Sequence, residues 1–117
     1  MSNFVTENKE GFSVIYMKSQ QLDNQTTAEL RSNLVLLAGN GVKNIIIDLE
    51  PCHYCDTSGL GAILIAHRLC KDGTLVLSNV SDEVAKMLSI QRFEPELVVE
   101  TSLASAEARM MDIVSAK

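Results

Sequence analysis

The sequence has no tryptophan, two tyrosines, three phenylalanines, two prolines, six glycines and three cysteines among its 117 residues. With 46% hydrophobic and 21% charged residues, that scarcity of glycine and proline excludes a disordered, collagen-like or low-complexity chain. Long apolar runs are missing too. The richest stretches, near Asn44–Leu49 and Leu60–Ala66, fall far short of the ~20 residues that span a bilayer, so no membrane insertion is expected. Met1-Ser2-Asn3-Phe4-Val5-Thr6-Glu7 lacks a basic leader, an apolar block and a small-residue cleavage site, which makes the cytoplasm the default location. Three cysteines are an odd number, and a chain of this size buries enough surface to fold without staples; both facts suit a reducing compartment. Positive charge is also short: 10 basic against 15 acidic residues give a net charge of −5, and Arg68, Lys71 and Arg92 form no stripe. Together with the few aromatic platforms, this excludes nucleic acid as an expected partner.

What is present reads as a single domain over residues 1–117. Phe4–Lys9 and Phe12–Met17 are β-prone runs separated by Glu10-Gly11, a two-residue hairpin connection. Thr26-Thr27-Ala28-Glu29 fits a capping box ahead of a helix with Leu30, Leu34 and Leu37 on one face, ended by Gly39-Asn40-Gly41. The β-branched run Asn44–Leu49 predicts a central strand covered on both faces, stopped by Pro51. A second helix is expected from about Asp56–Ser58 to Lys71, a strand over Thr74–Ser78, and a short helix capped by Ser81 that carries Val84, Met87 and Leu88. A last strand follows at Leu97–Val99. Ser102 then caps a final helix with Leu103, Ala106, Met110 and Ile113 on one side. The order ββαβαβαβα implies an α/β fold: a mixed sheet of about five strands, opening with an antiparallel hairpin and continuing with parallel strands, and about four helices.

The chemistry concentrates in the turn from the central strand into the second helix, Pro51-Cys52-His53-Tyr54-Cys55-Asp56-Thr57-Ser58-Gly59-Leu60-Gly61. Asp56 or Thr57 would stand at the helix start, where free amides and the dipole favour an anion by about 0.3–1 kcal/mol. Gly59 and Gly61 each cost a helix roughly 0.5–1 kcal/mol against alanine. Close approach of another backbone or a partner would offset that cost, and so would tight packing of the helix on its own sheet. The helix carries apolar residues on two stripes, Leu60-Ile63-Leu64 and Ala62-Ile65-Ala66-Leu69, and Asp56 is the sole formal charge from Pro51 to Ala66. Such a surface fits an interaction patch or a helix buried on two sides.

Catalysis and metal binding find less support. Cys52-x-x-Cys55 lies before a helix start, where thiolates are stabilised, and His53 could be a third ligand, but no second ligand pair accompanies them. Buried packing cysteines are the plainer reading, and neither a metal nor a cofactor is expected. For a hydrolase, His67 would lie about 13 Å along the helix axis from Ser58, and no G-x-S-x-G elbow surrounds that serine. Gly59-x-Gly61 lacks the third glycine of a dinucleotide fingerprint, since Leu64 occupies its place. The chain is therefore not expected to be an enzyme.

Leu22-Asp23 before the first helix, the strand Ile45-Ile46-Ile47-Asp48-Leu49, the run Asp56-Thr57-Ser58-Gly59-Leu60-Gly61, the later Val84, Leu88 and Phe93, and Ser105-Ala106-Glu107 resemble the STAS family. That family comprises small cytoplasmic domains typified by bacterial anti-sigma factor antagonists. The resemblance extends over nearly the whole chain. It implies a phosphorylation-switched binding protein, whose partner is an ATP-dependent serine/threonine kinase that is also the anti-sigma factor, with a phosphatase to reset the switch. It assigns the phosphoacceptor to Thr57, where the best-known members more often carry serine, with Ser58 as the alternative. The implied binding surface comprises Asp23, Asp56, Thr57, Ser58, Gly59, Leu60 and Gly61. On the residues alone, Ser58 serves helix-start hydrogen bonding and Asp23 shapes the turn into the first helix. The competing expectation on the same fold is a constitutive subunit of a lipid-transport or stress-signalling assembly.

Overall fold

The computed structural model describes residues 2–93 and 96–116. Its elements are β1 (Phe4–Asn8), β2 (Ser13–Met17), β3 (Gln21–Leu22), α1 (Thr27–Gly39), β4 (Asn44–Asp48), β5 (Tyr54–Cys55), α2 (Thr57–Leu69), β6 (Thr74–Ser78), α3 (Asp82–Leu88), β7 (Val98–Glu100) and α4 (Leu103–Ser115). The main sheet runs β1-β2-β4-β6-β7, with β1 antiparallel to β2 and every other neighbour parallel. This is the mixed α/β sheet expected from the order of elements. Lys9 N–H donates to the Phe12 carbonyl at 2.8 Å across Glu10-Gly11, and Gly11 supplies the positive φ (89°) that this tight hairpin needs.

The period of two along the strands divides the interior into two layers. Ile15 and Met17 of β2, Ile45 and Ile47 of β4, and Leu75 and Leu77 of β6 face α1, α2 and α3, where Leu30, Leu34, Leu37, Ile63, Ala66, Val84 and Leu88 close over them. The alternate residues Val14, Ile46 and Val76 face α4 and meet Ala106 and Met110. Every residue of β4 is buried, which is why its run is continuously apolar up to Asp48.

The local expectations at α1 and α4 need correction. Thr26 adopts a helical backbone (φ −105°, ψ −22°) and forms no side-chain cap. Its hydroxyl donates to the Gln21 carbonyl and accepts the Asp23 N–H, each at 3.0 Å. Glu29, the other half of the expected box, instead accepts the backbone N–H groups of Asn3 (3.0 Å) and Phe4 (3.1 Å), tying β1 to α1. The carboxylate has a closer pair of donors in the amino-terminal strand than in its own helix start. On α4, Leu103, Ala106 and Met110 pack on the sheet as expected, but Val114 rather than Ile113 completes the stripe. Val114 lies four residues beyond Met110 and sits against Gly11. The last strand lies one residue later than expected, and α2 ends at Leu69, two residues short of Lys71.

Beta strands β3 and β5 were not foreseen. They form a separate two-stranded parallel ladder pairing Gln21 with Tyr54 and Leu22 with Cys55. Two residues each are too few to carry a periodic signal, yet this ladder positions the start of α2.

Candidate functional site

After β4 the chain turns at Pro51, with Cys52 N–H donating to the Leu49 carbonyl (2.9 Å), and is then clamped along the segment before α1. His53 N–H donates to the Gln20 carbonyl at 2.9 Å and Asp56 N–H to the Leu22 carbonyl at 3.2 Å. Asp56 is then the N-cap of α2: its backbone is extended, and its Oδ1 accepts Gly59 N–H at 3.0 Å. The helix-start hydrogen bond assigned to Ser58 is made by Asp56 instead, and the Ser58 side chain is exposed. Thr57, the first helical residue, is exposed as well. Among the described residues, neither the Thr57 nor the Ser58 N–H has an acceptor, so Thr57 stands at a positive helix end with two free amides.

The two glycines answer differently to the question the sequence left open. Gly59 is buried, and a Cβ there would run into the Leu22 carbonyl oxygen and come within 2.9 Å of both Leu22 Cγ and Cys55 Sγ. Its glycine is required by the close approach of β3 within the domain. At Gly61 a Cβ would meet nothing within 4 Å. Among the described residues no neighbour explains glycine there. Gly61, Leu64 and Ile65 share one helix face at spacings of three and four, starting one turn after Thr57, and all three are half-buried. Leu60 is buried at 8% exposure and belongs to the core. The helix therefore buries one broad face on the sheet and leaves a partly open apolar stripe, bounded by exposed Arg68, beyond the hydroxyls.

Asp23 shapes the turn into α1, as its residue type suggested. Its carbonyl accepts Thr26 and Thr27 N–H and its Oδ1 accepts Gln25 N–H at 3.0 Å. Because Leu22 is paired with Cys55 and bonded to Asp56, half-exposed Asp23 also borders the start of α2. Leu22, which the resemblance includes without a role, is the residue whose backbone positions the start of α2. The sequence signal for that role was the unexplained glycine at 59.

The C-x-x-C pair belongs to the interior. Cys52 is fully buried and its thiol donates to the Tyr54 carbonyl at 3.2 Å; Cys55 is 7% exposed. Burial raises both thiols, Cys55 to about 12, and raises Cys70 to about 11. The thiolate stabilisation expected before a helix is overridden by desolvation. His53 is exposed, and among the described residues no cluster of three or more His, Cys, Asp or Glu converges to hold a metal. His67 lies edge-on to Phe93 with ring centroids 5.3 Å apart.

A mixed sheet with three helices on one face and one on the other, carrying an exposed, capped helix start beside a partly open apolar stripe, defines a small α/β domain of one recognisable class. The chain belongs to the STAS domain family, whose model matches residues 3–108. Solved structures share the fold. An anti-sigma-factor antagonist (STAS) domain protein from Planctomyces limnophilus superposes with a TM-score of 0.82 at 16% identity, covering 94% of this chain and 98% of the other. The Bacillus cell fate determinant SpoIIAA in its phosphorylated form gives 0.72 at 24% identity, covering 91% and 97%. A serine-to-glutamate variant of Moorella thermoacetica RsbS gives 0.81 at 16% identity, covering 97% and 99%. No helix among the described residues is long and apolar enough to cross a membrane.

Proposed function

We propose that this protein is an anti-sigma factor antagonist that sequesters a serine/threonine kinase anti-sigma factor while Thr57 is unmodified and releases it once that kinase phosphorylates Thr57. The observation that carries the reading is the placement of an exposed threonine hydroxyl at the first position of a capped helix, one turn from the open stripe of Gly61, Leu64 and Ile65. A partner seated on that stripe covers the hydroxyl as well. The occurrence of a structural neighbour in a phosphorylated form supports the same chemistry.

Phosphorylation transfers the γ-phosphoryl group of ATP to Thr57 Oγ1, with ADP as leaving group and the hydroxyl proton released. It adds about −1.5 to −2 charges and three acceptor oxygens. The free domain accommodates this at the open amides of Thr57 and Ser58, against some repulsion from Asp56. A complex does not: burying a dianion in an apolar contact costs several kcal/mol unless the partner supplies a matching cation. Ser58 is the alternative acceptor, being exposed on the same turn.

The test is to incubate the protein with ATP and its cognate histidine-kinase-like ATPase, locate the phosphate by mass spectrometry, and measure binding before and after. Thr57→Ala is expected to remain unphosphorylated and bound, and Thr57→Glu to bind weakly. Tight binding by Thr57→Glu together with normal labelling of Thr57→Ala would overturn the assignment. Binding that is indifferent to both changes would instead favour a constitutive subunit of a larger assembly.

A further inference from the structure

Away from Thr57, a half-open cavity of about 420 Å³ lies at the carboxyl ends of β2, β4 and β6. Asp48 and Tyr16 line it from the α4 face of the sheet, because they lie two residues beyond Ile46 and Val14, which pack against that helix. At its centre is a buried carboxylate that the proposed switch does not use. Asp48 is 7% exposed, and both of its hydrogen bonds fall on one oxygen: Ser78 Oγ donates to Oδ1 at 2.9 Å and Asn79 Nδ2 at 2.7 Å. Among the described residues no donor is bonded to Oδ2, and no fully sealed side-chain oxygen lacks a partner, so Oδ2 is accessible in a residue that lines the cavity. Asn79 has a left-handed backbone (φ 56°), the only such non-glycine among the described residues, and its amide donor is directed to Asp48 while its own oxygen stays available.

The lining is rich in acceptors and poor in donors. Glu50 adds an exposed second carboxylate at the rim. The Tyr16 hydroxyl is engaged as a donor to Glu7 at 2.9 Å. Lys18 is the one cation on the lining, and its Nζ lies 5.5 Å from the Tyr16 ring centroid. Among the described residues, no third carboxylate, histidine or cysteine joins Asp48 and Glu50 to make a metal cage. Pro51, Leu103 and the Tyr16 ring provide apolar walls.

We propose that this cavity binds a guanidinium group, with Asp48 as its anchor. A guanidinium is planar, permanently charged, donates through several N–H groups in a fixed fork that matches a carboxylate, and packs flat on apolar or aromatic walls. A bare ammonium is a strongly hydrated point charge and duplicates what Lys18 already offers. The group can come from a free guanidino compound or from an arginine on a partner chain. The site is independent of the function proposed for Thr57.

Titrating the isotope-labelled chain with ethylguanidinium and free arginine, with urea as a neutral planar control, tests the assignment by NMR. Saturable shifts of the Glu50 and Asn79 amides are expected with the two cations and not with urea. Asp48→Asn is expected to weaken the response about tenfold or more, as loss of a charge-assisted hydrogen bond does. Lys18→Ala, which removes the competing cation, is expected to strengthen it. Should Asp48→Asn fail to fold, Glu50→Gln on the exposed rim serves, with a severalfold loss supporting the site and no loss overturning it. Free arginine binding much more tightly than ethylguanidinium marks a small-molecule ligand; equal, weak responses that still depend on Asp48 mark an arginine side chain. No saturable shift, an equal response to urea, or indifference to Asp48→Asn overturns the proposal.

Discussion

Gly59 and Gly61 lie two residues apart in one helix, and alanine at each should move stability in opposite directions. In a helix interior the change from glycine is worth about 1 kcal/mol in favour of alanine. At Gly61, where a methyl meets open space, that gain is realised, and the melting temperature should rise by roughly 4 °C for a chain of this length. At Gly59 the methyl is driven into the Leu22 carbonyl and within 2.9 Å of Cys55 Sγ. Either the helix or the β3–β5 ladder must shift, at an overpacking cost of about 1–3 kcal/mol. The hydrogen bond from Asp56 N–H to that same carbonyl is also threatened, adding about 1 kcal/mol. The net for Gly59→Ala is a loss of about 1–3 kcal/mol, or a drop of roughly 4–12 °C. Thermal unfolding followed by circular dichroism measures both variants. A Gly59→Ala protein that melts at or above the parent would refute the claim that Leu22 sets this residue. The same pair separates folding from binding. If a partner packs on the open stripe, Gly61→Ala should fold more stably yet bind the cognate kinase about tenfold less tightly, since one methyl in a close-packed contact costs about 1–3 kcal/mol.

Other perturbations follow from the same geometry. Glu29→Ala should destabilise the domain by about 1–2 kcal/mol by stripping the acceptor from Asn3 and Phe4 N–H, and hydrogen exchange at those two amides should accelerate. Asp56→Ala should cost about 1 kcal/mol as the loss of an N-cap, read by urea unfolding. The cysteines predict an alkaline limit. Their folded pKa values are raised by burial, so the stability they contribute is complete below the unfolded thiol pKa near 8.5 and is lost as pH rises through the folded values of about 11 and 12 for Cys70 and Cys55. Urea midpoints should therefore fall from about pH 8.5 upward, and replacing Cys55 and Cys70 by alanine should flatten that fall. If the wild-type midpoint holds steady to pH 10.5, the burial argument is wrong.

Much of the architecture was legible because the strands and helices carry unmixed periods. The run Ile45-Ile46-Ile47 sits in the central strand with neighbours on both faces, and Leu30, Leu34 and Leu37 close one helix face, as their spacing demanded. Cap signals were reliable where side chain and amide are neighbours in sequence, as at Ser81 and Ser102. They misled at Thr26 because Glu29 finds partners some 25 residues away, and no local pattern encodes a contact of that range. The β3–β5 ladder was hidden for a similar reason: two residues on each side acquire meaning only when Gln21–Leu22 meets Tyr54–Cys55. At the candidate site, the helix start at Asp56–Ser58 could be read from position and residue type. The opposite reasons for the two glycines could not, because one answers to a carbonyl 37 positions upstream.

The obstacle at position 59 is a main-chain oxygen, which every amino acid at position 22 carries alike. Trimming the Leu22 side chain would clear its Cγ and leave the carbonyl where the ladder holds it. No second-site replacement there can act as a suppressor, so substitutions at 59 have little room for compensatory evolution. Neutral drift is correspondingly freer at 61, where only an outside surface can exert selection.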